Sequence, residues 1–500
     1  MENIIITKES EFRRYSFLLY GLVAGIIFDI FFNDKTMGIS YPVFIIAIML
    51  LFLAVFKGNL KKLNNWSWLF AVPALLLSLT FFIYSNQVFR ILNYLLLPLL
   101  LMMFFSISAK VNKYDWSDVR FIADIARRIF VPFRFIHRPF TTLSETSGSR
   151  PDNPEGKAKS RTLTRVLIGL LISVPLIAII LWLLFSADIV FKNYFTDIPL
   201  LKIFRHFIII VLVTIYSAGF AWTLKKAFNE RQVQSPSKKQ WKLFLDPVVL
   251  VTILVLINAI YAVFSFVQFA YLFGGNSFIL PSSFTFAEYA RRGFAELVVV
   301  SIINFAILIF ALTFVRKQSN RLFIVIKSLL ALLVISTFVI LASAFYRMVV
   351  YENAYGFTYL RIFVQAFMVM LFFLFVINII YIWLARLPII KSYIIVFLAV
   401  YIVLNFSNVD EIIAKNNIRR YFDTGNIDMA YLKELSFDAI PEMNKFYLSI
   451  KNSEKFTEKQ MAEGLSGYFN ERMSDLKEQK TWQSFNLSRH RAELIINMTD

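Results

Sequence analysis

The sequence has no cysteine and few charged residues for its length. Only 17% of its 500 residues are Asp, Glu, Lys or Arg, whereas about 25% is typical of soluble proteins. The missing cysteine excludes a disulfide-stapled secreted domain and any cysteine-ligated zinc or iron–sulfur centre. Hydrophobic residues make up 58% of the chain. This balance excludes a disordered chain and predicts a membrane-embedded protein.

The short motifs of several enzyme classes are also missing. The three histidines, His137, His206 and His490, lie far apart, and HExxH is absent, which argues against a zinc hydrolase. The sequence has no GxxxxGK[ST] loop, no GxGxxG after a strand and no GxSxG elbow. We therefore predict no catalytic residues, no cofactor and no metal site, and we favour a protein that is not an enzyme.

Long apolar stretches dominate what is present. A helix of about 20 apolar residues crosses a hydrocarbon core of about 30 Å. Eleven stretches meet this requirement, so the predicted fold class is all-α, a polytopic transmembrane helical bundle with a small helical domain at the C-terminus. The predicted spans are Tyr15–Phe32, Ile39–Phe56, Trp66–Tyr84, Val88–Ala109, Val166–Ser186, His206–Thr223, Pro247–Phe273, Leu297–Val315, Leu322–Phe345, Tyr359–Ala385 and Ser392–Phe406.

The distribution of lysine and arginine orients these spans. Cytoplasmic loops retain positive charge, and with the N-terminus inside the inner connections hold 29 basic residues against 9 in the outer ones. The prediction is therefore a cytoplasmic N-terminus and an extracytoplasmic C-terminus. The net charge of +19 follows from this topology, and without an aromatic-lined groove it does not indicate nucleic-acid binding.

The predicted domain organisation has four parts. Residues 1–109 form four spans, residues 110–165 a cytoplasmic loop, residues 166–406 seven spans, and residues 407–500 an extracytoplasmic tail.

The cytoplasmic loop carries a predicted basic amphipathic helix. Apolar residues recur at helical spacing and basic residues take the other side, which suits the surface of an anionic leaflet. Two interpretations stay open, a surface anchor and a docking site for a cytoplasmic partner. The apolar positions are Val119, Ile122, Ala126, Ile129 and Phe133.

The tail has the pattern of five short helices. Apolar residues recur at intervals of three and four in 409–422, 428–436, 438–450, 457–479 and 483–497. Gly425 and Asn426 predict a break after the first segment, and Pro441 suits the first turn of the third.

A first charged cluster precedes the eighth span on the outer side. On a continuous helix Glu288, Arg292 and Glu296 would share one face, with Arg291 turned about 100° away. The cluster is interpreted either as an ion-pair ladder that fixes the entry of the helix or as a binding site for an anionic headgroup or other envelope ligand.

A second cluster lies on the next outward turn, between spans nine and ten. Its arginines and tyrosines match the chemistry of a phosphate or carboxylate site, although tyrosines at this depth also form the ordinary aromatic belt. A pocket shared with the first cluster is allowed by the predicted topology. The residues are Arg347, Tyr351, Glu352, Tyr355 and Arg361.

Two further patterns concern helix packing. Gly21 and Gly25 form a GxxxG pair, which favours close contact between helices. The few polar residues deep in the spans favour helix-to-helix hydrogen bonds over an ion route. These residues are Asn258, Gln268, Asn304, Gln365 and Asn378.

Four runs resemble one family. They are LFSADIVF at 184–191, FTFAEYARRGFAEL at 284–297, RMVVYENAYGFTYLR at 347–361 and NVDEIIAKNNIRRYFDTGNIDMAYLKELSFDAIPEM at 408–443. Together they resemble the bacterial polytopic membrane proteins of domain of unknown function 4153/4173. The resemblance runs from the fifth span into the tail and implies a bacterial cytoplasmic-membrane protein, without an established chemistry.

Three functions fit these features. The favoured one is an envelope binding, sensing or assembly protein with an outward-facing charged and aromatic site. The alternatives are a transporter of a small or lipophilic anionic solute and a membrane enzyme that acts on a lipid-linked substrate. Against a transporter, the sequence has no carboxylate near the middle of a span and no obvious inverted repeat. If the protein were an enzyme, Glu288 or Glu296 would be its acid or base. A neighbouring arginine favours the charged form of such a carboxyl group and weakens this role.

Overall fold

Sixteen α-helices make up most of the part of the chain that the structure, a computed structural model, describes. The described residues are 2–57, 63–116, 118, 120–134, 199–229, 245–273, 293–315, 320–384, 387–477 and 481–498, with single positions and short runs between 169 and 188. The helices of the first half are α1 (Glu2–Phe32), α2 (Ser40–Val55), α3 (Trp68–Ile83), α4 (Gln87–Ser108), α5 (Arg120–Arg134) and α6 (Pro199–Asn229).

The second half contains the remaining long helices and the tail. They are α7 (Pro247–Phe273), α8 (Phe294–Phe314), α9 (Asn320–Tyr355), α10 (Tyr359–Trp383), α11 (Ile389–Phe406), α12 (Val409–Thr424), α13 (Met429–Glu434), α14 (Ile440–Ile450), α15 (Phe456–Lys477) and α16 (Leu487–Asn497).

Ten of the eleven predicted spans coincide with helices. The bounds of α7 are those predicted, while α9 is much longer than predicted, with 36 residues. At 1.5 Å per residue this helix is about 54 Å long, well beyond a hydrocarbon core of about 30 Å. The fifth span, Val166–Ser186, lies largely outside the described residues, although residues 183–187 are helical.

Eight helices of the described chain are long and apolar enough to cross a membrane, and Phe17–Phe32 and Ser40–Val55 are shorter apolar helices. The expected all-α, polytopic fold class is therefore confirmed. The number of eleven spans stays a prediction.

The helices divide into two compact units. One comprises Met1–Asp115, Arg120–Gln234 and Asp475–His490, and the other comprises Trp116–Val119, Ser235–Ser474 and Arg491–Asp500.

In the first unit, close packing of α1 on α6 organises the helices. A Cβ added to Gly21 would lie 2.5 Å from the Thr214 carbonyl oxygen, and one added to Gly25 would lie 2.6 Å from that of Ile210. Only glycine permits this approach, as is common for GxxxG pairs in membranes. The close contact expected from the GxxxG pair is confirmed.

The amphipathic helix of the loop is α5, and part of its apolar surface packs in the protein core. Phe121 and Ile125 are buried, whereas Ile122 and Phe133 are more than half exposed. The helix has apolar residues on two neighbouring faces, and the protein core takes one of them. The other apolar face stays outside the protein core, where it suits contact with lipid.

One segment of the tail, Asp475–His490, belongs to the first unit. Gly38 donates from its amide to the Gln483 carbonyl at 3.1 Å, and Ile39 to that of Phe485 at 2.9 Å. The Asn486 amide group donates to Phe81 at 2.8 Å and to Tyr84 at 2.9 Å. Residues 483–486 therefore bind the turns after α1 and after α3.

In the second unit, α7, α8, α9 and α10 enclose an apolar core that contains Leu254, Leu308, Leu333 and Phe375. Polar side chains within this core bond to each other. Asn304 donates to the Thr337 hydroxyl at 2.9 Å and accepts from Tyr261 at 2.7 Å.

Each of the five predicted tail segments contains a helix. Gly425 ends α12 with a left-handed φ of 74°, and Pro441 lies in the first turn of α14. The predicted break and first-turn proline are confirmed, because these two residue types suit those backbone positions.

The α1–α6 contact yields a stability prediction. Gly21→Ala places a Cβ against backbone and should lower the free energy of unfolding by about 1–3 kcal/mol, as overpacking does. The matched control is Gly467→Ala in α15, where an added Cβ has no atom within 4 Å and helix propensity should give a small gain. Thermal unfolding in detergent measures both. Equal melting temperatures for the two variants would contradict the packing account.

Candidate functional site

The turn between α9 and α10 is the centre of the site. Gly356 follows the end of α9 with a left-handed φ of 88°, a backbone conformation that favours glycine. A Cβ at this position would also lie 2.6 Å from the Asn417 Oδ1 atom. The glycine therefore lets α12 approach the turn.

Asn417 binds both polar groups of one residue of this turn. The Phe357 N–H donates to Asn417 Oδ1 at 2.7 Å, and Asn417 Nδ2 donates to the Phe357 carbonyl at 2.9 Å. The asparagine side chain is buried in α12. Asn417 thus supplies the hydrogen-bond partners that the backbone of a helix would otherwise supply to this segment.

Arg420, one turn further along α12, binds the end of α9. Its guanidinium donates to the Ala354 carbonyl at 2.8 Å and to the Asn426 carbonyl at 3.2 Å. The carbonyls at a helix C-terminus carry partial negative charge, so a cation stabilises them. Asn417 and Arg420 together hold α12 against the turn.

Two buried aspartates lie on the other side of the turn. The Tyr359 hydroxyl donates to Asp410 Oδ1, and Ser436 Oγ lies 2.6 Å from Asp410 Oδ2 and 2.9 Å from Asp438 Oδ2. The Tyr359 N–H donates to the Tyr431 hydroxyl at 3.1 Å, and burial raises the pKa of Tyr431. These bonds join the start of α10 to α12, to α13 and to the turn after α13.

Glu352 is the most enclosed charged residue of the predicted site. Its exposed fraction is 1%, and Oε2 accepts a hydrogen bond from Gln365 Nε2 at 2.5 Å. Within the described part of the chain Oε1 has no hydrogen-bond partner. A buried carboxylate oxygen of this kind is costly unless it meets a donor, so Glu352 has capacity for a further polar contact.

Arg361 and the neighbouring tyrosines form an aromatic layer beside Glu352. The Arg361 guanidinium donates to the Gly356 carbonyl and lies 4.2 Å from the Tyr351 ring centroid. The Tyr351 and Tyr355 rings are 5.1 Å apart. Arg361 is therefore engaged by a carbonyl and a ring face within the protein.

The second cluster packs against the start of α8. Phe294 lies 6.2 Å from Tyr351 between ring centroids, and a Cβ on Gly293 would lie 2.7 Å from Arg347 Nη1. Arg347 also lies 3.5 Å from the Gln268 side-chain oxygen. The second cluster thus contacts the residues that start α8, Gly293 and Phe294, and a pocket shared with the first cluster stays a prediction.

The predicted ion-pair ladder stays a prediction. Helix α8 begins at Phe294, and Gly293 before it has a left-handed φ of 93°. A continuous helix therefore does not run through this glycine. Glu296 is exposed in the first turn of α8, while Glu288, Arg291 and Arg292 lie outside the described residues.

Sequence reasoning missed the residues that hold the turn. Asn417 lies four positions after Ile413 on the buried face of α12, so a polar residue at an apolar position was the available signal. A second missed set is in the first unit, where Asp29 is buried and accepts from Asn33 at 2.9 Å. The His206 Nδ1 atom lies 2.7 Å from Asp29 Oδ2.

The asparagine contact yields a prediction with a matched control. Asn417→Ala leaves two backbone groups of Phe357 without partners and should destabilise the contact between tail and turn by about 1–3 kcal/mol. Asn416→Ala is the control, because Asn416 donates only to Ile412 within its own helix, at 2.9 Å. Limited proteolysis of the membrane-inserted protein measures the effect, with cleavage after Arg419 or Arg420 expected to accelerate only in Asn417→Ala. Equal rates in the two variants would contradict the assignment.

A comparison with known families gives one match. The family model described as Domain of unknown function (DUF4153) matches residues 71–446. The match begins in α3, earlier than the resemblance indicated, and ends in α14, so it contains the α9–α10 turn, Asn417 and both aspartates. No curated protein and no solved structure matches the chain significantly. Because the match covers well over half of the chain, this membrane protein belongs to the family described as Domain of unknown function (DUF4153).

Proposed function

We propose that the protein is a non-catalytic envelope binding and assembly protein of the bacterial cytoplasmic membrane. In this proposal the N-terminus is cytoplasmic, the tail is extracytoplasmic, and the tail carries the binding surface. The observation that supports it most is the network of buried polar contacts from Asn417, Arg420 and Asp410 to the α9–α10 turn. Such a network holds the tail helices in one position at the membrane surface.

The charged and aromatic cluster has a positioning role in this proposal. Arg361 binds the Gly356 carbonyl and the Tyr351 ring, and Arg347 contacts Gln268. These intramolecular contacts support an interaction cluster that fixes the turn, rather than an open anion pocket. Glu352 Oε1 remains the position where a donor from a ligand would fit.

The orientation is supported by which turns the tail contacts. In the first unit residues 483–486 bind the turns after α1 and after α3, and in the second unit α12 binds the turn after α9. The lysine and arginine count assigns each of these turns to the outer side. Each contact of the tail therefore agrees with an extracytoplasmic C-terminus.

Exposed aromatic residues of the tail supply the proposed binding surface. Phe422 is 62% exposed and Phe456 80% exposed. The Tyr421 hydroxyl donates to Glu458 at 3.3 Å, so α12 and the start of α15 are in contact beside these two rings. Exposed aromatic side chains on a rigid support are typical anchors of protein interfaces.

The described polar residues of the spans support assembly over transport. Asn258 donates to the Leu329 carbonyl, Asn304 donates to the Thr337 hydroxyl, and Asn378 accepts from the Tyr393 hydroxyl of α11. Gln268 accepts from Ser343 at 2.6 Å. Bonds of this kind stabilise helix packing in membranes, as the sequence led us to expect.

The absence of native cysteine allows a direct test of the orientation. We expect a membrane-impermeant maleimide to label Asn452→Cys, in the exposed turn after α14, in intact spheroplasts. Arg127→Cys, on the exposed side of α5, should be labelled only after the membrane is opened. The reverse pattern would place the tail in the cytoplasm and overturn the proposal.

Site-specific photocrosslinking in living cells tests the binding surface. A photoreactive phenylalanine analogue at position 422 or 456 should capture discrete envelope proteins, because both side chains project from the tail. Position 463, an exposed glutamate of α15, is the control and should capture none of them. Identical products at all three positions, or none at any, would reject an interface at these residues.

A further inference from the structure

The first unit encloses a large apolar cavity. Its volume is about 650 Å³, within the range of about 300–1,000 Å³ that small-molecule pockets span. Helices α1, α2, α4 and α6 form its walls, and α5 borders it. Residues that represent these walls are Ala24, Phe28, Phe52, Leu101 and Phe220.

The cavity wall offers little polar contact. Two of its three tyrosines direct their hydroxyls to backbone, since Tyr20 donates to the Ala54 carbonyl and Tyr216 to the Ile129 carbonyl, each at 3.4 Å. The other wall residues are almost all aliphatic or phenylalanine. An apolar cavity of this kind does not hold water, so the chemistry of its occupant is hydrocarbon.

The cavity is long enough for an extended chain. The part of its wall that α2 and the next residue form runs from Tyr41 to Phe56, which is about 22 Å at 1.5 Å per residue. One leaflet of a bilayer, the depth that one acyl chain spans, is about 15 Å, half of the hydrocarbon core.

Helix α5 marks the opening of the cavity. Phe133 lines it and is nevertheless 57% exposed, and Phe130 and Ile122 on the same helix are also exposed. This apolar side of α5 suits contact with surrounding lipid. A chain can therefore enter from the leaflet beside α5.

Basic residues lie at the end of the cavity beside α5. A second cavity of about 230 Å³ contains Arg128 and Lys226 and shares Phe220 and Leu224 with the large one. Lys225 donates to the Val55 carbonyl at 3.3 Å. The acidic residue that faces this end from α5 is Asp124, 3.4 Å from Arg128.

We propose that the two adjoining cavities bind one anionic phospholipid of the membrane leaflet beside α5. One of its acyl chains fills the apolar cavity, and its phosphate lies beside Arg128 and Lys226. Guanidinium and ammonium groups match the oxygens of a phosphate, and the hydrocarbon wall matches the chain. The site belongs to the first unit and does not depend on the binding surface proposed for the tail.

Native mass spectrometry of the full chain tests the proposal. The protein is released from nanodiscs that contain equal parts of phosphatidylglycerol and phosphatidylcholine. We expect one retained lipid per chain with a preference for the anionic one. Retention of neither lipid, or of both equally, would overturn the proposal.

Two variants separate the headgroup from the chain. Lys226→Gln should reduce the preference for the anionic lipid about fivefold, the effect of one basic residue near an anionic headgroup. Ala221→Phe fills the apolar cavity and should abolish retention of either lipid. The controls are Lys202→Gln, near the other end of α6, and Leu95→Phe, at an exposed position of α4, and both should behave as the unaltered protein.

The melting temperature of each variant is also measured in detergent. Lipid retention is compared only between variants that have the same melting temperature. Should Ala221→Phe melt early, Lys226→Gln decides the outcome alone. An unchanged preference in Lys226→Gln would refute the phosphate site. Displacement of the retained lipid by inorganic phosphate would show a site for the headgroup alone, and would refute the role of the apolar cavity.

Discussion

Two hydrogen bonds between the Asn417 amide and the backbone of Phe357 connect the tail to the spans. A typical hydrogen bond contributes only about 0.5–1.5 kcal/mol, but a buried backbone group left without a partner costs about 1–3 kcal/mol. The chain leaves its helix at Gly356, so the turn needs partners from elsewhere. Helix α12 supplies them, and its position is therefore specified by the turn and not by apolar burial alone.

The hydrogen bonds between α12 and the α9–α10 turn and the apolar cavity of the first unit show two different uses of a membrane protein's interior. In the second unit, buried polar groups on the α9–α10 turn meet Asp410, Asn417 and Arg420, which gives one defined arrangement of the tail. In the first unit, the GxxxG contact at Gly21 and Gly25 brings α1 and α6 together, while the bulky residues of α2 and α4 leave space between the helices. A fixed contact of α12 with the turn and an apolar cavity follow from these two packing solutions.

The spans and tail helices could be predicted because hydropathy and helical spacing are local properties of the sequence. The α7 bounds, the glycine end of α12 and Pro441 in α14 agree with those rules. The start of α8 at Phe294 could not be predicted, because glycine identity alone does not reveal the left-handed φ of Gly293. Asn417 and the cavity could not be predicted, since each depends on contacts between segments distant in sequence.

Hydrogen–deuterium exchange of the protein in nanodiscs tests the contact between α12 and the α9–α10 turn most directly. If the buried polar contacts hold the tail, the amides of the 356–359 turn and of α12 should exchange slowly and with one common opening free energy. Substitution of Asn417 by alanine should lower that free energy equally in both segments. Fast exchange of α12 beside a protected turn, or a substitution that affects only one of them, would contradict the account.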